Sequence, residues 1–156
     1  MANTISHRQV REFYEARMLR DPERIAQFLH DDVEWSIAGP IDLIPFCGQR
    51  RGKEAAIDTM VRIAPALLTV TKLEFDELLV DGERAAGFNH LTAIQNSTGR
   101  TISYQRAEFF QYRDGEIISY RDILDSFDVA EQVLGHSIDL SMPEKPTIAS
   151  GNVIVA

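Results

Sequence analysis

The chain has 156 residues, 44% hydrophobic and 26% charged, with a formal net charge of −8, which is globular composition at the length of one domain with one core. That charge argues against a nucleic-acid backbone or an anionic membrane as partner, since the only dense basic run is Arg50, Arg51 and Lys53. Cys47 is the single cysteine, the amino end turns polar at once, and no apolar run reaches bilayer length, so a reducing, cytoplasmic setting without membrane is expected.

Ser6 with Gln9 three residues on reads as a capping box, and Val10, Phe13, Tyr14 and Met18 recur at helical spacing through about Arg20. Asp21-Pro22 restarts the pattern, and Ile25, Phe28 and Leu29 make a short second helix ending near His30. VEWSIAG is then a strand with Trp35 and Ile37 on one face, and residues 39–52, with turn formers at both ends, read as a covering loop. From Gly52 a third helix carries Ile57, Met60 and Val61, and Pro65 should close it near Ala64.

Beyond it the hydrophobic period falls from about 3.6 to 2. Residues 67–80, 83–95, 100–113 and 116–125 are four strands joined at Asp81-Gly82, Ser97-Thr98-Gly99 and Asp114-Gly115, an antiparallel meander after three helices and hence an α+β fold. In the third of these strands Gln105, Ala107 and Phe109 share one side, and Tyr104, Arg106, Glu108 and Phe110 the other. In the last, Ile118, Tyr120, Asp122 and Leu124 share a face. Both faces mix apolar and polar groups, which suits a sheet with helices on its concave side and a second copy on its convex side, so a homodimer is expected. Residues 136–156 are taken as an extension beyond a domain spanning 1–135, either a tail or an arm on the partner subunit.

FYEARMLRDPERIAQFLHDDVEWSIAG, GQRRGKEAAI and FFQYRDGEIISYRDILD, with a short helix after them through Leu134, together resemble the SnoaL-like and ketosteroid-isomerase-like branch of the nuclear transport factor 2 superfamily. The resemblance implies a cone-shaped, curved antiparallel sheet, a cystatin-like roll, with the three helices of the N-terminal half on its concave face and a pocket between them. It also places the isomerases' catalytic aspartate at Ile37 and their oxyanion pair at Phe13 and Ala107, with Tyr14 one step away. Those roles are vacant, which argues against steroid isomerisation. The epoxide hydrolases of the superfamily have an arginine and an aspartate that fall near Phe88 and His90, and a last-strand aspartate that YRDILD places at Asp122. The same Asp122 matches the acid–base aspartate of the polyketide cyclase branch.

From the residues themselves, Phe88, His90, Thr92 and Ile94 share a strand face. If that face and the face of Asp122 both line the hollow, Asp122 serves as general base and His90 as proton donor or stabiliser of developing oxygen charge. Tyr120, Trp35, Phe88, Tyr14, Gln105 and Phe109 complete the ligand-binding set. The expected activity is cofactor-independent, metal-free isomerisation, cyclisation or hydrolysis of a small apolar, carbonyl-bearing metabolite, cyclic or open-chain. His7, His30, His90 and His136 are too scattered for a zinc motif, and no phosphate-binding glycine loop occurs. The alternatives are a non-catalytic small-molecule-binding protein with the same pocket, and a dimeric interaction module whose pocket is filled by Trp35, Phe88, Phe109 and Tyr120. Asp122 pairing with a charged neighbour or capping the next segment, Asp125 as a cap, and Cys47 as a small apolar filler or a thiol activated by Arg50 or Arg51 are the local alternatives.

Overall fold

The computed structural model describes residues 4–141. Helix α1 (His7–Leu19) starts from the expected capping box, in which the Gln9 amide donates to Ser6 Oγ at 3.2 Å and the Ser6 amide to Gln9 Oε1 at 3.0 Å. Its Val10, Phe13 and Tyr14 are buried. Helix α2 (Pro22–Ala26) is capped by Asp21, with proline in its first turn, where the missing N–H costs no bond. It ends four residues earlier than the spacing predicts. The carbonyl of Phe28 is taken by the Ile117 amide at 2.8 Å, and strand β1 (Leu29–Ala38) has begun, with His30 in it.

Residues 39–52 are not all loop. Gly48–Arg51 form strand β2, antiparallel to β1, too short and too polar for its period to show in the sequence. Pro65 does not close the third helix either. Helix α3 (Lys53–Asp58) passes into a π-helical turn (Thr59–Ile63), and Pro65 falls in the first turn of α4 (Ala64–Leu67), which runs directly into the next strand. At a helix start proline removes no needed donor.

The meander is present as β3 (Leu68–Asp81), β4 (Arg84–Gln95), β5 (Thr101–Arg113) and β6 (Glu116–Leu124), followed by α5 (Ser126–Leu134). Asp125 caps α5, accepting from the Asp128 amide at 3.1 Å. The six strands run in the order β2-β1-β6-β5-β4-β3. The sheet is therefore mixed and open, which corrects the expected purely antiparallel, cone-shaped curved sheet: β1 lies parallel to β6, with Trp35 opposite Tyr120 and Ile37 opposite Asp122. Turn chemistry reveals only strands joined by a hairpin, and β1 and β6 are separated by residues 39–115, about half of the chain.

One face of the sheet carries the core. Phe13 of α1 reaches it, its ring 6.0 Å from that of Phe110 and 6.4 Å from that of Trp35. Ala85, Asn89, Leu91 and Ala93 of β4 and Ile102, Tyr104, Arg106, Glu108, Phe110 and Tyr112 of β5 all point this way and are buried. On β6 the alternation slips: Gln111 pairs with Ser119 but Tyr112 with Ile117, so Ile118 is an extra residue. The bulge lets both Ile117 and Tyr120 face the core. The opposite face leaves Leu79, Phe88, Phe109 and Ile123 exposed. No helix of the described residues is long and apolar enough to cross a membrane.

Candidate active site: two carboxyls and two arginines on the inner face

Asp122 is 2% exposed and lies on the inner face of β6, between β1 and β5. Its Oδ2 accepts from Arg106 Nη1 at 3.1 Å and lies 3.1 Å from the Tyr120 hydroxyl. Its Oδ1 is buried with no partner. Burial raises the carboxyl to about 6; Arg106 pulls it back and the nearby charge of Glu108 pushes it up again.

Glu108, opposite Asp122 on β5, has the contrary surroundings. Its carboxylate accepts from Tyr14 Oη at 2.6 Å, Asn89 Nδ2 at 2.7 Å and Arg17 Nη1 at 2.9 Å, with Arg106 Nη2 at 3.3 Å and a short bond from the Tyr120 hydroxyl. Burial opposes ionisation, but Arg106, Arg17 and the hydroxyls outweigh it and hold the group at about 2. Tyr120 has one proton. Donated to Glu108, it leaves Asp122 with the Arg106 bond alone.

Arg17 is held in an aromatic enclosure, its guanidinium carbon 5.4–5.7 Å from the ring centres of Phe13, Tyr14, Trp35 and Tyr120. Trp35 stacks on Tyr120 with centroids 3.7 Å apart, and its Nε1 is buried without a partner. Arg106 completes the cluster by donating from Nε to Asn89 Oδ1 at 2.9 Å.

A cavity opens in front of this cluster. Its room for the centres of water-sized spheres is about 110 Å³; Asp122, Arg106, Trp35, Tyr104 and Arg17 line its polar part, and Ile37, Met60, Leu68, Leu73 and Leu91 are among its apolar walls. Trp35 lines this space, and Tyr120, stacked on Trp35, is not among the lining residues. Burial raises the Tyr104 hydroxyl to about 12. Cys47 is buried, and burial first, then the charge of Asp122, pushes its thiol to about 11. The charge of Arg50 pulls the thiol down but is outweighed, and its Nη1 and Nη2 donate to the carbonyls of Pro45, Phe46 and Cys47.

The predicted set thus divides. Asp122, Tyr120, Trp35 and Tyr14 meet on the inner face, as the preceding contacts show. His90, Phe88, Gln105 and Phe109 do not join them. They occupy the alternate positions of β4 and β5, on the outer face, where His90 Nδ1 is 3.2 Å from Asp76 Oδ2. An even count on β4 faces outward and an even count on β5 inward, as the pairing of Asn89 with Arg106 requires. Glu108, Arg106, Arg17 and Asn89 were missed. The visible signal was Tyr104-x-Arg106-x-Glu108-x-Phe110, charges alternating with aromatics on one strand face, which a solvated face does not favour. One residue beyond the vacant positions Phe13 and Ala107, Tyr14 and Glu108 are hydrogen-bonded to each other. Among the described residues no three His, Cys, Asp or Glu side chains converge as metal ligands.

A family model described as "SnoaL-like domain" matches residues 10–120, and the chain belongs to that family, on an NTF2-like fold. Among solved structures it is similar to a putative isomerase from Rhodopseudomonas palustris, with 29% identity over 85% of this chain and 100% of that one and a TM-score of 0.78. A protein of ketosteroid-isomerase-like fold from Catenulispora acidiphila, in complex with trimethylamine, has 14% identity over 85% and 95% of the two chains and a TM-score of 0.69. An LEH-like epoxide hydrolase of M. tuberculosis has 19% identity over 82% and 88%, with a TM-score of 0.65. The last two likenesses show the fold alone. No curated protein matches the chain.

Proposed function

We propose that the protein is a cofactor-independent acid–base enzyme acting on a small apolar, carbonyl-bearing molecule, with Asp122 as the group that takes and returns the proton. The observation that carries this reading is that Asp122 lines the cavity and keeps its buried Oδ1 without a hydrogen-bond partner. Two carboxyls in one cluster are driven apart, Glu108 to about 2 and Asp122 to about 6, and such separation assigns a permanent anion and a proton carrier.

As a base, Asp122 accepts a proton from the carbon next to the carbonyl, and the C–H electron pair becomes the enolate. Trp35 Nε1–H and the Tyr104 hydroxyl are the donors on the cavity wall available to the enolate oxygen. Arg106 then faces a neutral Asp122 and a new negative charge on the substrate, so the buried charge is conserved through the step. The putative isomerase among the similar structures is consistent with proton transfer of this kind.

The test is exchange of α-hydrogens for deuterium in small ketones, lactones and oxo acids in deuterated water, followed by NMR. Exchange that Asp122→Asn abolishes, with ligand binding retained, supports the reading; exchange at the wild-type rate in Asp122→Asn removes Asp122 from the mechanism. Binding without exchange in either protein would instead favour the second reading, a small-molecule-binding protein, for which the unpartnered Trp35 Nε1 and Asp122 Oδ1 are ligand anchors.

A further inference from the structure

We propose that the substrate is an anion: a short carbonyl compound bearing a carboxylate, whose charged end docks on Arg17 and Arg20 at the cavity mouth while the carbon beside its carbonyl lies against Asp122. The second half of this statement rests on the acid–base reading above; the docking half does not.

The cavity is unlike the rest of the molecule in charge. In a chain of net charge −8, the charged residues that line it are three arginines, Arg17, Arg20 and Arg106, and one carboxyl, Asp122. Glu108 stands behind the wall, occupied by its donors. The potential inside is therefore positive, and low-dielectric walls strengthen it.

Arg17 is fixed with donors to spare. Only Nη1 is hydrogen-bonded, to Glu108 Oε1 at 2.9 Å and to Tyr120 Oη at 3.3 Å. Among the described residues neither Nε nor Nη2 has an acceptor, and the side chain is 15% exposed. The four surrounding rings hold its plane, so little rotamer freedom remains to be lost on binding. Arg20 ends α1 in the left-handed conformation, φ 54°, which a residue with a Cβ adopts at a cost of roughly 1 kcal/mol. Its exposed side chain makes no hydrogen bond or ion pair among the described residues, yet lines the mouth. The negative end of α1 opposes an anion there, but by about half a charge against two full cations, and the Arg20 amide already covers the Ala16 and Arg17 carbonyls.

Charge bookkeeping gives the same answer. After Asp122 takes the α-proton, the ionised set is Arg17, Arg106 and Glu108 inside with Arg20 at the rim, an excess of two positive charges. An enolised oxo acid carries two negative ones. The space of about 110 Å³, at roughly 10–15 Å³ per water on this measure, suits a molecule of roughly ten non-hydrogen atoms.

The probes are 5-oxohexanoate and its isosteric neutral amide, titrated calorimetrically into the full-length protein and followed for deuterium exchange. The acid should bind at least tenfold more tightly than the amide, and Arg20→Gln should narrow that ratio to about threefold or less. Equal or tighter binding of the amide, an unchanged ratio in Arg20→Gln, or no binding of the acid overturns the docking proposal. The two readings fail separately. Equal exchange of both compounds, lost in Asp122→Asn, sinks anion docking and leaves Asp122 as the base. Preferential binding of the acid without exchange sinks the base and leaves the docking site.

Discussion

Glu108 and Asp122 face each other across β5 and β6, and one guanidinium joins them, Arg106 Nη2 lying 3.3 Å from Glu108 Oε1 and Arg106 Nη1 3.1 Å from Asp122 Oδ2. The pair is asymmetric because the remaining donors are. Tyr14, Arg17 and Asn89 all reach Glu108 and none reaches Asp122. One carboxyl is thereby fixed as an anion and the other left able to change its proton.

If Asp122 is the base, turnover requires its ionised form. The rate of α-proton exchange should rise with pH through about 6 and then level off, and Asp122→Asn should lower the plateau by roughly 10²–10⁴-fold. A pH-rate profile of both proteins checks this. A rate falling as pH rises through the same range would make Asp122 the acid instead.

Stability should respond to pH in the opposite sense. The folded-state pKa of Asp122 lies above the unfolded value, so between the ordinary aspartate range and about 6 the folded protein binds more protons, and raising the pH across that window destabilises it. At about 1.4 kcal/mol per pH unit the loss amounts to about 3 kcal/mol. Glu108 acts the other way, its contribution being present above the ordinary glutamate range and lost as pH falls toward about 2. Urea titrations at intervals between pH 3 and 7 should show the decline above pH 4 in the wild type and its disappearance in Asp122→Asn. The difference between the two curves isolates Asp122 from the other carboxylates.

Removing the permanent anion should do more damage. Glu108→Ala leaves Arg17 and Arg106 with only Asp122 to balance them in a buried place, and unpaired buried charge costs about 3–5 kcal/mol. Asp122, then the sole carboxylate beside Arg106 and free of its like-charged neighbour, should titrate lower than before. Denaturant unfolding measures the first effect, and an NMR titration of the Asp122 carboxyl carbon in a folded Glu108→Gln variant measures the second.

Much of this arrangement could be read from the chain, and the failures have physical causes. The capping box at Ser6, the meander and the sharing of one strand face by Tyr120 and Asp122 follow from local rules of spacing and turns. The parallel contact of β1 with β6 does not, because it joins residues about eighty apart in sequence and leaves no mark on either strand. Which side of β4 and β5 faces the helices is equally invisible to alternation alone. Period 2 defines two sets of side chains per strand and leaves the choice between them to the pairing register. The register puts His90, Phe88, Gln105 and Phe109 in the outer set, against expectation, and Arg106 and Glu108 in the inner one.

The thiol of Cys47 should be inert in the native protein. Burial and the neighbouring Asp122 charge hold it at about 11, so at pH 8 the thiolate fraction is about 10⁻³ even before access is considered. An aromatic disulfide reagent should give no fast phase until denaturant is added. Rapid labelling under native conditions would mean that the segment 39–52 opens far more readily than its hydrogen bonds imply.

Gly87 gives the most local test of the cluster. It lies opposite Glu108 on β4, and a Cβ built there would stand 3.0 Å from the Tyr14 hydroxyl and 3.6 Å from Phe75 Cε1. The glycine is not needed for its backbone conformation, since it is absent from the positive-φ positions. It is needed for space. Gly87→Ala should push the Tyr14 hydroxyl off the 2.6 Å bond to Glu108, at a cost of about 1.5–3 kcal/mol when a bond to a charged group is lost. Glu108 should then titrate higher, while Asp122 keeps Arg106 and its free Oδ1. Combining the change with Tyr14→Phe separates the crowding from the bond. If the hydroxyl bond is what Gly87 protects, Gly87→Ala should cost much less in the Tyr14→Phe background than alone. Equal costs in the two backgrounds would place the damage in Phe75 packing instead.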